Sequence, residues 1–209
     1  MTELTIQPLA GADIDGLNEA YAIYHDAIEL SEQRTEAVFK ALADRPDYRF
    51  LVALRGTAMA GVAVSYIPRE SDFWLFEYAA VAKAERGAGV GARLFMASRL
   101  TAGLGRVGLI EVDVDTGTAG QAQRLAFYAR LGCRRLRGLD YLLPLETFGQ
   151  PPPMCLLALA PPGVAFIGVD TIERWLRGIY ADVYDRQLDD RRLARMIDPL
   201  PDDVALEAL

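Results

Sequence analysis

Cysteine and histidine are scarce in this chain, with two Cys and one His among 209 residues. Cys133 and Cys155 are too few for a disulfide framework, and a single histidine adds no metal-ligand cluster to them. No apolar run reaches the roughly 18 residues that a membrane span needs, and the first residues lack the positive charge of a secretion signal. We therefore expect a cytoplasmic protein with no metal site and no membrane partner.

Basic residues are outnumbered by acidic ones, which gives a net charge of −7. The only lysines are Lys40 and Lys83. A nucleic-acid-binding surface needs a basic face, so we expect no nucleic-acid partner. The negative balance suits a cationic ligand better. Hydrophobic residues make up 52% of the chain, which is enough for the core of a globular protein.

Glycine, by contrast, is concentrated in the segment Arg86-Gly87-Ala88-Gly89-Val90-Gly91. The residues before it, 74–81, have the composition of a strand, and residues 92–100 have apolar positions at helical spacing. Glycines between a strand and a helix allow the backbone to approach an anion, which the helix N-terminus attracts. The segment is typical of a phosphate-binding loop.

Two kinds of phosphate-binding loop fit this segment poorly. A nucleoside-triphosphate loop needs Lys-Ser/Thr after its last glycine, where this chain has Ala92-Arg93. A dinucleotide fingerprint could be formed by Gly87, Gly89 and Ala92, with Glu111 near its acidic position. However, that motif opens a series of βαβ units, whereas the residues before it predict two helices and a hairpin.

A third kind of loop matches better. Arg86-x-x-Gly89-x-Gly91, preceded by Ala80-Val81, resembles the pyrophosphate-binding signature of the GNAT acetyltransferases. The segment 121–133, which contains Tyr128-x-x-x-Gly132, is similar to the second signature of that family. Two residues depart from the family pattern, since Gln121 stands where Asn is frequent and Cys133 where Phe is usual.

The resemblance covers about residues 1–159 and implies an α/β (α+β) GNAT fold. Such a fold has a mixed, mostly antiparallel twisted sheet flanked by helices. Residues 160–209 would then be a C-terminal helical extension.

The same resemblance implies an acyltransferase that moves an acetyl group from acetyl-CoA to the amine of a small molecule and releases coenzyme A. The residues that it places against acetyl-CoA are Ala79, Ala80, Val81, Arg86, Gly87, Ala88, Gly89, Val90, Gly91, Ala92 and Gln121. Two other functions stay open: a non-catalytic acyl-CoA-binding module, and acetylation of a protein or peptide.

Catalysis of this kind needs a proton donor for the departing thiolate and a base for the amine. The resemblance assigns the acid to Tyr128 and places main-chain donors at a bulge near Ala79-Ala80. For the base, Glu77, Glu111 and Glu32 are alternatives, as is water alone. His25 is the only histidine, but its position on the first helix favours a structural role.

Periodicity predicts the remaining elements. An amphipathic helix spans Leu17 to Ile28, and a second helix spans Glu32 to Ala43. We further expect a strand at 4–7, a hairpin of strands 50–54 and 59–64, and a strand at 109–114 that is half-buried with its acidic residues on one face.

Beyond the shared fold, Asp170 and Glu173 have the spacing of a capping box. The apolar stripe that follows would dock on the sheet of its own domain or pack against a second subunit in a homodimer. It consists of Ile172, Trp175, Leu176, Ile179, Tyr180 and Val183. The tail after Pro199 is expected to fray. The family resemblance implies that the proline-rich loop 141–153 closes over the acceptor.

Overall fold

The computed structural model of the chain describes residues 3–145, 148–149 and 152–209. These residues form two compact units, one built mainly from the chain up to Arg106 and one from Val107 onward. Both units contain helices and strands, and the strand pairs described within each unit are antiparallel. The mixed α/β class with a mostly antiparallel sheet flanked by helices is confirmed.

The first unit contains a four-stranded sheet in the order β1-β2-β3-β4. Short 3₁₀ turns lie at Leu30–Glu32, Leu42–Asp44 and Lys83–Glu85. The other elements are β1 (Leu4–Pro8), α1 (Ile14–Ala27), α2 (Glu36–Ala41), β2 (Tyr48–Arg55), β3 (Ala58–Tyr66), β4 (Phe73–Val81) and α3 (Val90–Ala102).

The second unit has five strands in the order β5-β7-β6-β9-β8. A π-helical turn, Ile179–Val183, directly follows helix α5 (Val169–Gly178). The elements are β5 (Val107–Asp113), α4 (Ala119–Arg130), β6 (Arg134–Leu136), β7 (Met154–Leu159), β8 (Phe166–Gly168), α5 (Val169–Gly178), α6 (Arg191–Ile197) and β9 (Asp203–Glu207).

Aromatic residues cover both faces of the first unit's sheet. Phe39 of α2 lies 5.3 Å, between ring centroids, from Phe50 of β2. On the opposite face, Phe95 of α3 lies 5.0 Å from Phe76 of β4. Helices α1 and α2 therefore flank one face and α3 the other, and the glycine-rich segment connects β4 to α3.

The predicted hairpin and the strand before the glycine-rich segment are confirmed, but the second helix is shorter than predicted. It begins at Glu36 rather than Glu32, because the Thr35 side chain accepts a hydrogen bond from the Val38 amide and caps the helix there. Glu32 lies instead in a 3₁₀ turn that precedes the cap.

The C-terminal extension differs from its prediction in three respects. Helix α5 begins at Val169 after Gly168, without a side-chain cap, so the capping box at Asp170 is wrong. The tail does not fray: residues of β9 pair with both β6 and β8. Because of β8 and β9, the extension is not purely helical. The apolar stripe from Ile172 to Val183 is buried within this chain, as expected of docking on its own domain.

Strand β5 is buried on both faces rather than half-buried. Asp113 is only 5% exposed, because Arg124 of α4 covers it and forms an ion pair with it. The second acidic residue of this strand, Glu111, is partly exposed. A carboxylate in a salt bridge can be buried, whereas a carboxylate without a partner cannot. The alternation of apolar and acidic residues along β5 therefore did not predict that the acidic side chains are exposed.

Gly61 of β3 sets how closely α3 can approach the sheet. A Cβ atom there would lie 2.7 Å from the Ala80 carbonyl oxygen and 3.2 Å from side-chain atoms of Leu94 and Val90. We expect Gly61→Ala to lower the free energy of unfolding by about 1–3 kcal/mol through overpacking. Chemical denaturation measures the loss. Gly105→Ala is the control, because a Cβ there meets no atom within 4 Å; equal stability of the two variants would contradict the prediction.

Candidate active site

The glycine-rich segment forms an exposed loop at the start of α3. Gly87 has φ +83° and Gly89 has φ +79°, a left-handed conformation that favours glycine. Gly89 is the N-cap of α3, and no side chain caps the helix. The first amides of the helix have no carbonyl partner within it and carry its positive dipole end. The loop therefore presents N–H groups suited to an anion such as a pyrophosphate.

The space above these two glycines is open. A Cβ atom on Gly87 or Gly89 would meet no atom within 4 Å, in contrast to the crowded position of Gly61. Packing within the protein therefore does not explain the lack of side chains on this loop. The open space fits a ligand that approaches the backbone closely, as the pyrophosphate of acetyl-CoA would.

Arg86 begins the loop and is held by two contacts within the first unit. Its Nε donates to the Val81 carbonyl oxygen at 3.2 Å, and a terminal nitrogen lies 3.1 Å from the Asp26 carboxylate. Both members of this ion pair are about half exposed or more, so it is weak. An anionic ligand can therefore compete with Asp26 for the guanidinium.

The turn that leads into the loop is fixed by Arg55 of β2. Its guanidinium donates to both carboxylate oxygens of Glu85, at 2.8–3.0 Å. This hydrogen bonding lowers the pKa of the Glu85 carboxyl. The pair anchors the loop to the sheet in the absence of a ligand. Before the loop, Ala79, Ala80 and Val81 end β4 and pair with β3.

Strand β4 carries a bulge close to the predicted position. Phe76 pairs with Ser65 and Tyr78 with Val64, which leaves Glu77 as the extra residue. The bulge therefore lies two residues before Ala79-Ala80. It also explains why Phe76 packs on α3 whereas Tyr78 contacts Tyr24 of α1 on the opposite face.

Glu77 points to the connection between α1 and α2, where it meets Arg34. The Arg34 guanidinium donates to Glu77 Oε1 at 2.7–2.8 Å, and both side chains are at least nine-tenths buried. Glu77 Oε2 is also buried and has no hydrogen-bond partner among the described residues. Arg34 was missed in the sequence, because nothing in its local pattern indicates a partner 43 residues away.

Three tyrosines surround this ion pair. The Tyr24 hydroxyl accepts a hydrogen bond from the Arg34 amide at 2.7 Å, and the Tyr78 hydroxyl donates to the Glu32 carbonyl oxygen at 3.3 Å. Burial raises the pKa of Tyr24 to about 12 and also raises the pKa values of Tyr48 and Tyr78, with the charge of Glu77 as a smaller cause. All three hydroxyls are therefore protonated at neutral pH.

The second unit holds the other two predicted catalytic residues. Glu111 accepts hydrogen bonds from the hydroxyls of Tyr141 and Tyr184, one on each carboxylate oxygen. Tyr128 lies near the end of α4 and is 8% exposed. Burial raises the pKa of Tyr128 above the ordinary value of 10. Its hydroxyl therefore carries a proton at neutral pH, as an acid must.

Two further predicted residues have structural contacts. The Gln121 side-chain oxygen accepts from the Thr116 amide at 2.9 Å, and Gln121 forms a capping box with Thr118. His25 is exposed, with its Nδ1 2.8 Å from Gln33 Oε1. Part of the predicted acceptor loop, Glu146, Thr147, Gln150 and Pro151, lies outside the described residues.

Comparison with known proteins identifies the family. The model of the Acetyltransferase (GNAT) family matches residues 15–133, which is more than half of the chain. The chain therefore belongs to the GNAT acetyltransferase family, and the resemblance seen in its two motifs is confirmed. Membership supports acetyltransferase activity, and acetyl-CoA is the donor typical of the family. No curated protein matches the chain.

Solved structures agree on the fold. A GNAT-family protein from Bacteroides thetaiotaomicron is similar with a TM-score of 0.71 and 17% identity, over 88% of this chain and 99% of the other. The ribosomal-protein-S18-alanine N-acetyltransferase of Escherichia coli has a TM-score of 0.57 and 20% identity, over 78% and 100%. Arabidopsis thaliana NAA60 in complex with acetyl-CoA has a TM-score of 0.57 and 15% identity, over 75% and 98%. At these identities the likeness shows the GNAT fold.

Two further kinds of site concern the described residues, a metal-binding cluster and a membrane-spanning helix. Across residues 3–145, 148–149 and 152–209, no group of three or more His, Cys, Asp or Glu side chains could hold a metal ion. No helix in these ranges is long and apolar enough to cross a membrane.

Proposed function

We propose that this protein transfers the acetyl group of acetyl-CoA to the amine of a small-molecule acceptor. The observation that carries the proposal is the loop from Arg86 to Gly91, with its open left-handed glycines and its uncapped helix N-terminus. The loop's amides would hold the pyrophosphate, assisted by Arg86 once it exchanges Asp26 for the ligand.

Acetyl-CoA would supply an acetyl group activated as a thioester. The protein would remove a proton from the amine and donate a proton to the departing sulfur. The amine nitrogen forms a bond to the acetyl carbon while the carbon–sulfur bond breaks. In this proposal Tyr128 donates its hydroxyl proton to the departing sulfur, the role that the family motif assigns to this tyrosine. Its protonated state at neutral pH supports this assignment.

Of Glu77 and Glu111, Glu77 is the better base. Its Oε2 has no hydrogen-bond partner among the described residues, whereas both oxygens of Glu111 accept from tyrosine hydroxyls. A base needs a lone pair directed at the proton that it removes. Because the Glu77 side chain is buried, we infer that the amine proton reaches it through a bridging water.

Thiol release with a panel of amines tests the function. The purified protein is incubated with acetyl-CoA and amino acids, polyamines, aminoglycosides or short peptides, and free coenzyme A and the mass of each amine are measured. A small amine that gains one acetyl group supports the proposal. Acetylation of peptides alone would replace it with a peptide acetyltransferase, and binding of acetyl-CoA without thiol release would indicate a binding module.

Tyr128→Phe tests the acid. We expect kcat to fall at least roughly 100-fold, because a positioned general acid contributes about 10²–10⁴-fold, while the Kd for acetyl-CoA changes little. Since burial raises the pKa of Tyr128, the alkaline decline of kcat in the wild-type protein should lie above about pH 10. An unchanged kcat in the variant would remove Tyr128 from the mechanism.

A further inference from the structure

The carboxylate of Glu111 is held by two tyrosines that lie outside the two segments, 86–91 and 121–133, that resemble the family signatures. Tyr141 lies in the loop after β6 and donates to Oε1, and Tyr184 follows the π-helical turn Ile179–Val183 and donates to Oε2 at 2.5 Å. A π-helical turn is rare and frequently marks a functional position. The C-terminal extension thus contributes directly to the surroundings of a partly exposed carboxylate.

Further contacts fix the loop around Tyr141 to the extension. The Tyr180 hydroxyl donates to the Leu142 carbonyl oxygen, and the Leu142 amide lies 3.2 Å from Met196 Sδ. Arg186 donates to the Pro144 carbonyl oxygen at 2.6 and 3.1 Å. These contacts limit the movement of Tyr141 and preorganise its hydroxyl toward Glu111.

Two hydroxyl donors change what this carboxylate can do. Hydrogen bonds from hydroxyls favour the charged form of a carboxylate, and a charged carboxylate attracts cations. A carboxylate has about four lone-pair sites, so carboxylates can bind an ammonium group in addition to hydroxyl donors. Tyr141 and Tyr184 are 2% and 9% exposed, whereas Glu111 is partly exposed and is therefore the member of this group that a ligand can reach from solvent.

We propose that Glu111, positioned by Tyr141 and Tyr184, binds an ammonium group of the acceptor that is not itself acetylated. The attacking amine must be neutral, whereas a group bound by a carboxylate keeps its proton, so the two must be different nitrogens. The acceptors are then compounds with at least two basic nitrogens, such as diamines. This inference rests on the proposed acetyl transfer and names its substrate class.

Calorimetric titration tests the site without requiring turnover. The probes are 1,5-diaminopentane and 5-amino-1-pentanol, which differ only in an ammonium group replaced by a hydroxyl. Each is titrated into the full-length protein with and without coenzyme A. We expect the wild-type protein to bind the diamine roughly tenfold or more tightly than the amino alcohol, because hydrogen bonds between charged groups are stronger than neutral ones.

Variants of Glu111 and Tyr184 test whether the preference for the diamine over the amino alcohol arises at Glu111. Glu111→Gln should abolish it and Tyr184→Phe should reduce it severalfold, whereas Glu173→Gln, which removes a partly exposed carboxylate of α5, should leave it unchanged. Thermal unfolding of each variant separates loss of the fold from loss of the preference. Equal affinities for the two probes, or binding of neither, in the wild-type protein would overturn the proposal, as would a preference retained in Glu111→Gln. Failure of acetyl-CoA to bind would instead overturn the proposed function.

Discussion

Replacing Arg34 with methionine is expected to lower the free energy of unfolding by about 3–5 kcal/mol. The substitution leaves the carboxylate of Glu77 buried without its cationic partner, since the Glu77 side chain is 0% exposed. For a chain of this length the loss corresponds to a decrease in Tm of roughly 6–20 °C. Differential scanning calorimetry of the purified variant measures it.

Two control variants show whether the unpaired charge is the cause. Arg34→Met combined with Glu77→Met should recover most of the lost stability, because a buried ion pair can be replaced by apolar side chains at little cost. Lys40→Met removes the exposed ion pair with Glu36 and should change stability by about 1 kcal/mol or less. A double variant no more stable than Arg34→Met would mean that the charge of Glu77 is not what destabilises the single variant.

Replacing Gly89 with alanine is expected to weaken acetyl-CoA binding roughly tenfold or more. The new Cβ would enter the open space above the loop, and the left-handed backbone at φ +79° would become strained by about 1–2 kcal/mol. In the proposed binding mode the pyrophosphate contacts the amides at this position, and a loss of about 1.4 kcal/mol in binding free energy is a factor of ten in Kd. Isothermal titration calorimetry with acetyl-CoA gives the change directly.

Gly103 provides the matched control for that variant. It ends the same helix with φ +100°, and a Cβ there also meets no atom within 4 Å. Gly103→Ala should therefore carry at least as much backbone strain as Gly89→Ala but bind acetyl-CoA like the wild-type protein. Similar losses of affinity in both variants would show that destabilisation, rather than contact with the ligand, explains the effect at Gly89.

Local features of the fold and site could be predicted from sequence. The loop from Arg86 to Gly91 is defined by neighbouring residues, and so are the strand before it and the helix after it. Amphipathic helix α1 and the β2–β3 hairpin are likewise signalled by short-range periodicity and by Gly56. The assignments of Tyr128 and Gln121 to the reaction come from the family motif and stay predictions.

Features that depend on distant partners could not be predicted. Strand β9 forms from an acidic tail because β6 and β8 supply its hydrogen bonds. The bulge at Glu77 exists through the register with β3, and its ion pair needs Arg34. Tyr184 was missed because it follows the apolar stripe of the extension rather than belonging to it. Such pairings appear only once the chain has folded.

Thermal unfolding with added ligands tests the central claim, that the loop from Arg86 to Gly91 binds acetyl-CoA. The ligands are acetyl-CoA, coenzyme A and NAD, and NAD is the informative control because it also carries an adenosine and a pyrophosphate. At 100 times its Kd, a ligand stabilises the native state by about 2.7 kcal/mol, which for this chain length raises Tm by roughly 5–10 °C. We predict such an increase with acetyl-CoA and coenzyme A and none with NAD. An equal increase with NAD, or no increase with any of the three, would contradict the account.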